Sequence, residues 1–572
     1  MISILREGFY QVGGMRRWVH DLSDQKSNKR VFVREASGLI KEISTTKGTF
    51  FNLANTIGGG ATLVTAYVVL YPFVLWASLP VYSWVILLSL PFDAAYVLCL
   101  AVLCQMMPRT GGDYVFTSRI TSPLAGFIES WMLLWGTASI TGFNAWLAIY
   151  SIGNITTAGV VFGQSFVSLG SILTNNTSLL IMGMIEFGIA AFVYIRPPRT
   201  VYRTLTVLGI ASIVAVVLLL IPLMGVSPTG FDINFSHYTG TSAAQVIQIA
   251  TQHGYDPSAT YSSSTFLSLL AFALYIPFGF TSTVYLAGEV KGNVSKNIFT
   301  SAMCTALFNG IMVGLYFSPF FRTAGSDLVN AWAYLYFNAG SLSPLMTAPT
   351  TIVLAALANP NLGAFTLILG IPVEVFFNFV VLLASIGLAT RILFAQSMDR
   401  TLPKRFAEVS EKTNQPNFSI LVWVIVCFIF FLITVYGASP VNTLYYTLFV
   451  GFPSFLFPAV NVIVLKWKKP ELFQLAPAWA RRSILGVPVI AWVGIAWLVF
   501  LLPAFGAVDF WGLVSTLVVT PGGSLLNFTF SSGLLLTLVS LFSGIAWYYG
   551  VRAYHKRRGF DLDLVFKQIP PE

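Results

Sequence analysis

Apolar runs near 20 residues long recur from Thr49 to the C-terminal end of the chain, separated by short polar stretches. A helix needs about 20 apolar residues to cross a hydrocarbon core about 30 Å thick. On that measure the first half carries spans at Thr49–Trp76, Val81–Met106, Leu124–Gly153, Leu179–Ile195 and Val201–Gly225. The second half carries Phe266–Gly288, Ile298–Phe321, Gly363–Met398, Phe418–Tyr436, Val441–Leu465, Val487–Leu502 and Leu534–Tyr549. The pattern predicts an all-α integral membrane protein of about twelve transmembrane helices. Thr351–Ala358 is apolar but too short to cross, and is expected as a surface or re-entrant helix. Ala243–Gln252 reads as a small amphipathic helix in the long loop after span five.

Composition agrees with the pattern. Of 572 residues, 56% are hydrophobic and only 9% charged, against roughly 25% charged in a soluble domain. The chain thus falls into a basic tail (1–48), spans one to five (49–225), spans six to ten (266–465), a loop with spans eleven and twelve (466–549), and a tail (550–572). The first tail contains no apolar core of signal-peptide length, and both tails are expected in the cytoplasm. With this partition, every one of the 32 Lys and Arg residues except Arg322 falls on one side, as the positive-inside rule requires of a cytoplasmic face. The net charge of +10 is therefore a basic membrane-side surface rather than a nucleic-acid footprint. In Tyr554-His555-Lys556-Arg557-Arg558 an ordinary stop-transfer flank is the plain reading, and contact with anionic lipid the sharper one. Cys99, Cys104, Cys304 and Cys427 sit in apolar runs without metal-ligand spacing and are expected as buried single thiols. The four histidines fall outside the spans, so haem ligation within the membrane is not expected, nor is any metal site or cofactor.

Two spans are interrupted. Span one contains Ile57-Gly58-Gly59-Gly60, and successive glycines weaken a helix by about 1 kcal/mol each relative to Ala. Lipid supplies no water to satisfy freed backbone groups, so such a break faces a cavity or ligand, or else serves close helix packing. Span six contains Tyr275-Ile276-Pro277-Phe278-Gly279-Phe280-Thr281, where Pro277 removes a backbone donor and Gly279 loosens the next turn. An ordinary kink is the alternative there. Spans one and six open two successive groups of five, and breaks at matching places in two halves point to a transporter site at the membrane midplane.

The chain resembles the amino acid–polyamine–organocation (APC) family of transporters. Ile57-Gly58-Gly59-Gly60-Ala61 is similar to the family's I-G-S-G-I break, and Pro108-Arg109-Thr110-Gly111-Gly112-Asp113-Tyr114 to its P-x-S-G-G-x-Y. Gly126-Phe127 through Trp131 resembles G-F-x-x-G-W. Gly279-Phe280 followed by Glu289-Val290-Lys291 resembles G-F-E … E-V-K. The stretch Arg391–Pro403 resembles R-x-L-Y-A-M-A-R-D-G-x-L-P. The resemblance implies a five-plus-five inverted repeat with discontinuous helices one and six, two extra C-terminal helices, and no enzymatic activity. It also implies that Gly58, Gly59 and Gly60 hold a substrate carboxylate while the carbonyl of Ile57 helps hold the ammonium. Pro277, Phe278, Gly279 and Thr281 complete the site from helix six, and Tyr275 falls where relatives place a gating aromatic, though packing explains a Tyr there equally.

Two departures bear on substrate. Thr281 stands where many relatives have Glu, and Asn293 replaces a common Pro. Without that Glu a cationic substrate lacks a counter-charge and carries a large desolvation cost, which favours neutral zwitterionic amino acids over cationic ones or polyamines. Coupling to Na+ or H+ stays open. Val201–Gly225 holds no Lys of the kind some proton-coupled relatives use, and Ser385 matches a position that some sodium-coupled relatives use. The intramembrane acids Asp93, Glu186 and Glu374 are candidates by default, with Glu129 nearer the basic side. A proton-translocating subunit is the rival from another class, but no Lys or His lies in mid-span. A channel does not require paired breaks.

Overall fold

The computed structural model describes residues 39–56, 79–153, 163–257, 279–346, 351–436, 440–507 and 533–567, with isolated positions 159, 161 and 349. In chain order the helices begin with α1 (Thr45–Asn55), α2 (Leu79–Met106), α3 (Asp113–Ile120), α4 (Pro123–Tyr150), α5 (Gln164–Leu173) and α6 (Asn176–Tyr194). They continue with α7 (Pro198–Leu219), α8 (Pro228–Thr239), α9 (Ala243–Gln252), α10 (Val294–Ala324), α11 (Ser326–Asn338) and α12 (Thr351–Ala358). The last are α13 (Gly363–Met398), α14 (Asn417–Tyr436), α15 (Pro440–Lys468), α16 (Val489–Ala507) and α17 (Gly533–Arg557). Short 3-10 segments cover Ser282–Glu289 and Leu562–Lys567, and one hairpin pairs β1 (Ser483–Ile484) with β2 (Val487–Pro488). Among the described residues seven helical segments are long and apolar enough to cross a membrane. The fold is that of an all-α, multi-pass membrane protein.

The apolar pattern located most elements closely. Helices α9, α12 and α13 begin and end at the expected residues. Four points differ. First, of the two placements expected for α12, the surface one is ruled out and the re-entrant one is not, because Ile352 through Ala358 are at most 2% exposed, packed against α8 and α13. Second, Cys304 is exposed rather than buried. It shares one face of α10 with exposed Leu307 and Ile311, at the three- and seven-residue spacing of a lipid-facing stripe. Third, span eleven begins as a strand at Val487–Pro488 and turns helical only at Val489. Fourth, α17 continues to Arg557, two turns beyond the apolar run, since a helix does not have to stop where the membrane does. The connecting segments also fold: α3, α5, α8 and α11 occupy stretches expected as loops.

Capping explains many starts. Asn175 accepts from the Ser178 amide at the start of α6, and Ser242 with Gln245 forms a reciprocal capping box on α9. Asn293, the departure from a family Pro, caps α10 by accepting from the Lys296 amide at 2.9 Å.

Helix α4 lies at the centre, packed against α13, α14 and α15, while α10 covers α1 and α2. The outer helices carry bare apolar stripes. On α6, Ile181, Ile185, Ile189 and Phe192 are about half exposed, and Leu421, Ile425 and Ile429 do the same on α14. Apolar area of that extent does not face water in a soluble monomer; here lipid covers it.

Candidate substrate site

α1 ends at Asn55, three residues ahead of Gly58 in the glycine run. The last carbonyls of a helix lack intrahelical donors and carry partial negative charge. Against this end lies Gly279, at φ +93, so close that a Cβ there would sit 2.4 Å from the Asn55 carbonyl oxygen. Only glycine meets both conditions, the left-handed backbone and the missing side chain. The chain then enters the 3-10 segment, whose Thr283 amide donates to the Asn52 Oδ1 at 2.8 Å. The end of α1 and the start of the 3-10 segment are thereby stitched to each other.

A cavity of about 70 Å³ opens at this junction. A single water needs roughly 10–15 Å³ on the same measure, so there is space for several. Asn55 lines it from the end of α1, Gly279, Thr281 and Ser282 from the start of the 3-10 segment, and Ser385 and Leu388 from α13. α4 contributes Thr137, Thr141 and Asn144, and Tyr96, Tyr285 and Phe455 add aromatic wall. No Asp, Glu, Lys or Arg is among the described residues of the lining.

The structure brings Gly279, Thr281 and Ser385 together in one wall. Ser385 is buried, and its Oγ donates to the Leu382 carbonyl at 2.9 Å. That is the usual self-satisfaction of Ser in a membrane helix, combined here with a place on the cavity. Ile57, Gly58, Gly59, Gly60, Tyr275, Pro277 and Phe278 lie outside the described residues. Asp93 is buried on α2 and accepts from the Ser89 hydroxyl at 3.1 Å; it does not line the cavity. Glu186 on α6 has both carboxyl oxygens buried, without a hydrogen-bond partner among the described residues, also away from the cavity. Glu374 falls on α13, but its side chain is outside the described set. Among the described residues no group of three or more His, Cys, Asp or Glu could hold a metal.

The sequence reading missed the α4 wall. Its signal was present: Thr137, Thr141 and Asn144 recur at a spacing of four and three, a polar stripe on one face of an apolar helix.

Three other family-like motifs, Pro108–Tyr114, Glu289–Lys291 and Arg391–Pro403, converge beside the cavity on the basic side, as ties rather than as lining. Tyr285 donates its hydroxyl to Asp113 Oδ2 at 2.6 Å, and the Gly111 amide donates to the Tyr285 carbonyl at 2.9 Å. Gly112, at φ +52, allows this approach, since a Cβ there would meet the Tyr285 ring at 2.8 Å. Burial pushes the Asp113 carboxyl up to about 7, with the Tyr285 hydrogen bond pulling the other way. Arg391 Nε and Nη2 donate to the two oxygens of Glu289 at 2.8 and 3.0 Å, and Tyr202 donates to Glu289 at 3.3 Å. Arg119 donates to Asp399 at 2.7 Å, with both side chains buried. The stretch before α1 joins the same assembly. The amides of Glu42 and Ile43 donate to the Glu289 carbonyl at 2.9 and 3.0 Å, and the Lys291 amide donates to the Ile43 carbonyl at 2.9 Å. Lys47 and Lys291 each reach Glu42 Oε2 at 3.2 Å, and hydrogen bonds from both, Lys47 foremost, hold that carboxyl below its ordinary range.

A search of curated proteins returned no match. A family model described as "Amino acid permease" matches residues 45–539, which runs from α1 into the start of α17 and takes in all the described residues that line the cavity. A cavity where the end of α1 meets Gly279, with no charged side chain among its described lining residues, motifs that recur as contacts between helix ends, and a family match over most of the chain agree: the protein belongs to the amino acid permease family.

Proposed function

We propose that this permease is a secondary active transporter, not an enzyme, that moves zwitterionic amino acids with uncharged side chains across the cell membrane by alternating access. The reading takes twelve spans, both termini cytoplasmic, and a five-plus-five repeat carrying the site at its two breaks. The observation that carries it is the lining of the cavity: among its described residues no side chain is charged, and Thr281 occupies the place of the family's Glu. A zwitterion brings its own balance. Its ammonium suits the carbonyl end of α1 and its carboxylate suits the amides of the glycine run Gly58-Gly59-Gly60. An arginine or polyamine side chain would meet only dipoles in exchange for its water. The carboxyl behind the wall, Asp113, is engaged by Tyr285. The ties on the basic side support a conformer closed on that face, and a transport cycle requires them to open.

The test is radiolabelled leucine or alanine uptake into proteoliposomes under imposed Na+ or H+ gradients, with competing amino acids and putrescine. Neutral amino acids are expected to compete at lower concentration than arginine or putrescine, and Thr281→Glu to shift the balance toward cations. Displacement by arginine or putrescine ahead of the neutral amino acids overturns the charge argument.

A further inference from the structure

The connection from α15 to α16 carries a feature that transport does not use. Two residues, Leu485 and Gly486, close the hairpin, with Ser483 opposite Pro488 and Ile484 opposite Val487. Both turn residues have positive φ, +53 and +80. Such turns favour Asn-Gly or Asp-Gly, because a side chain at the first position is strained there. This chain instead places a leucine at the strained position and exposes 88% of it, the highest value among the large apolar residues of the described chain. Its strand neighbour Ile484 is 55% exposed.

The hairpin's height is fixed by the membrane helices on both sides. Lys466, in the last turn of α15, donates through Nζ to the Gly486 carbonyl at 3.3 Å. Trp492, in the first turn of α16, donates through Nε1 to the Ile484 carbonyl at 3.1 Å. Trp492 begins an outward stripe of α16 that continues to Val499, 64% exposed seven residues on. The hairpin is therefore seated over a lipid-facing flank at the end of two spans, and exposed Arg481 and Arg482 lead into it.

We propose that the hairpin is an interfacial anchor: Ile484 and Leu485 enter the boundary between headgroups and acyl chains, while Arg481, Arg482 and Lys466 sit among anionic phospholipid headgroups. Apolar tips beside cationic side chains bind at that depth through buried area plus attraction to anionic lipid, and Trp favours the same level. Charge complementarity and continuity with the lipid-facing stripe of α16 select lipid over a soluble partner. The proposal uses the membrane-spanning character of α15 and α16 and is independent of substrate, so its failure leaves the transport reading standing.

The experiment uses the full chain with Cys304→Ser, which removes the exposed thiol, and Leu485→Cys labelled with an environment-sensitive fluorophore. The protein is reconstituted in phosphatidylcholine–phosphatidylglycerol vesicles, with Lys412→Cys as a water-exposed reference. The label at 485 is expected to emit at shorter wavelength than at 412. It should be quenched several-fold more strongly by shallow spin-labelled lipid and be shielded from aqueous iodide. Arg481→Gln with Arg482→Gln, or vesicles of phosphatidylcholine alone, should weaken the lipid quenching. Ile484→Cys gives an independent second readout. Iodide quenching equal to that at position 412 overturns the proposal. So does shielding from iodide without lipid quenching, which would place a second copy or another protein over the hairpin.

Discussion

Gly279→Ala tests the geometry of the site most directly. The added methyl would sit 2.4 Å from the Asn55 carbonyl oxygen and 2.9 Å from its carbon, in place of an ordinary contact near 3.4–4 Å. Both neighbours are backbone, so relief requires the end of α1 or the start of the 3-10 segment to move by about 1 Å. The positive φ adds roughly 1–2 kcal/mol of conformational strain for an L side chain. The displaced carbonyl belongs to the helix end proposed to receive the substrate ammonium, and a charge-assisted hydrogen bond is worth about 1.5–3 kcal/mol. Losing most of it raises KM by roughly 10- to 100-fold, at about 1.4 kcal/mol per tenfold. Gly292→Ala is the control. Gly292 also has positive φ, +70, but a Cβ there meets nothing within 4 Å, so that variant carries the strain without the clash. Proteoliposome uptake gives KM, and thermal unfolding in detergent gives the stability of both variants. A Gly279→Ala protein with KM within twofold of wild type would refute the reasoning, as would a Gly292→Ala protein with the same KM defect.

Glu289→Gln should destabilise the protein by about 3–5 kcal/mol, because it leaves Arg391 charged and buried without its bidentate partner; a negligible shift in the unfolding midpoint would count against the tie. Asp113→Asn should flatten a pH dependence. The wild-type carboxyl moves from an ordinary 3.8 to about 7, so the folded state keeps a proton that the unfolded chain has lost, and stability falls as pH rises across that window. Thermal midpoints of the two proteins measured from acid to neutral pH should diverge accordingly, and parallel curves contradict the assignment. Gly59→Leu should abolish substrate protection against thermal unfolding while the protein remains folded, and full protection would remove the carboxylate site from span one.

The membrane class and most span boundaries were legible in the sequence, because in lipid the length and continuity of an apolar run decide where a helix can exist. Of the two expected breaks, the described residues hold the end of α1 at Asn55 and the left-handed turn at Gly279, both at the places where local chemistry disfavours a helix; Gly58-Gly59-Gly60 and Pro277 lie outside the described residues. Other features depend on which faces meet, and linear order does not encode that. The sequence ranked Asp93, Glu186, Glu374 and Ser385 together as candidates, yet Ser385 alone of the described ones reaches the cavity. The buried position of α12 follows from α8 and α13 lying on it, not from its composition, which suits lipid and protein interior equally. The motifs Gly111-Gly112-Asp113, Glu289-Val290-Lys291 and Arg391 to Asp399 lie far apart in the chain. Tertiary structure turns them into ties, because a buried charge is stable only where folding delivers its partner.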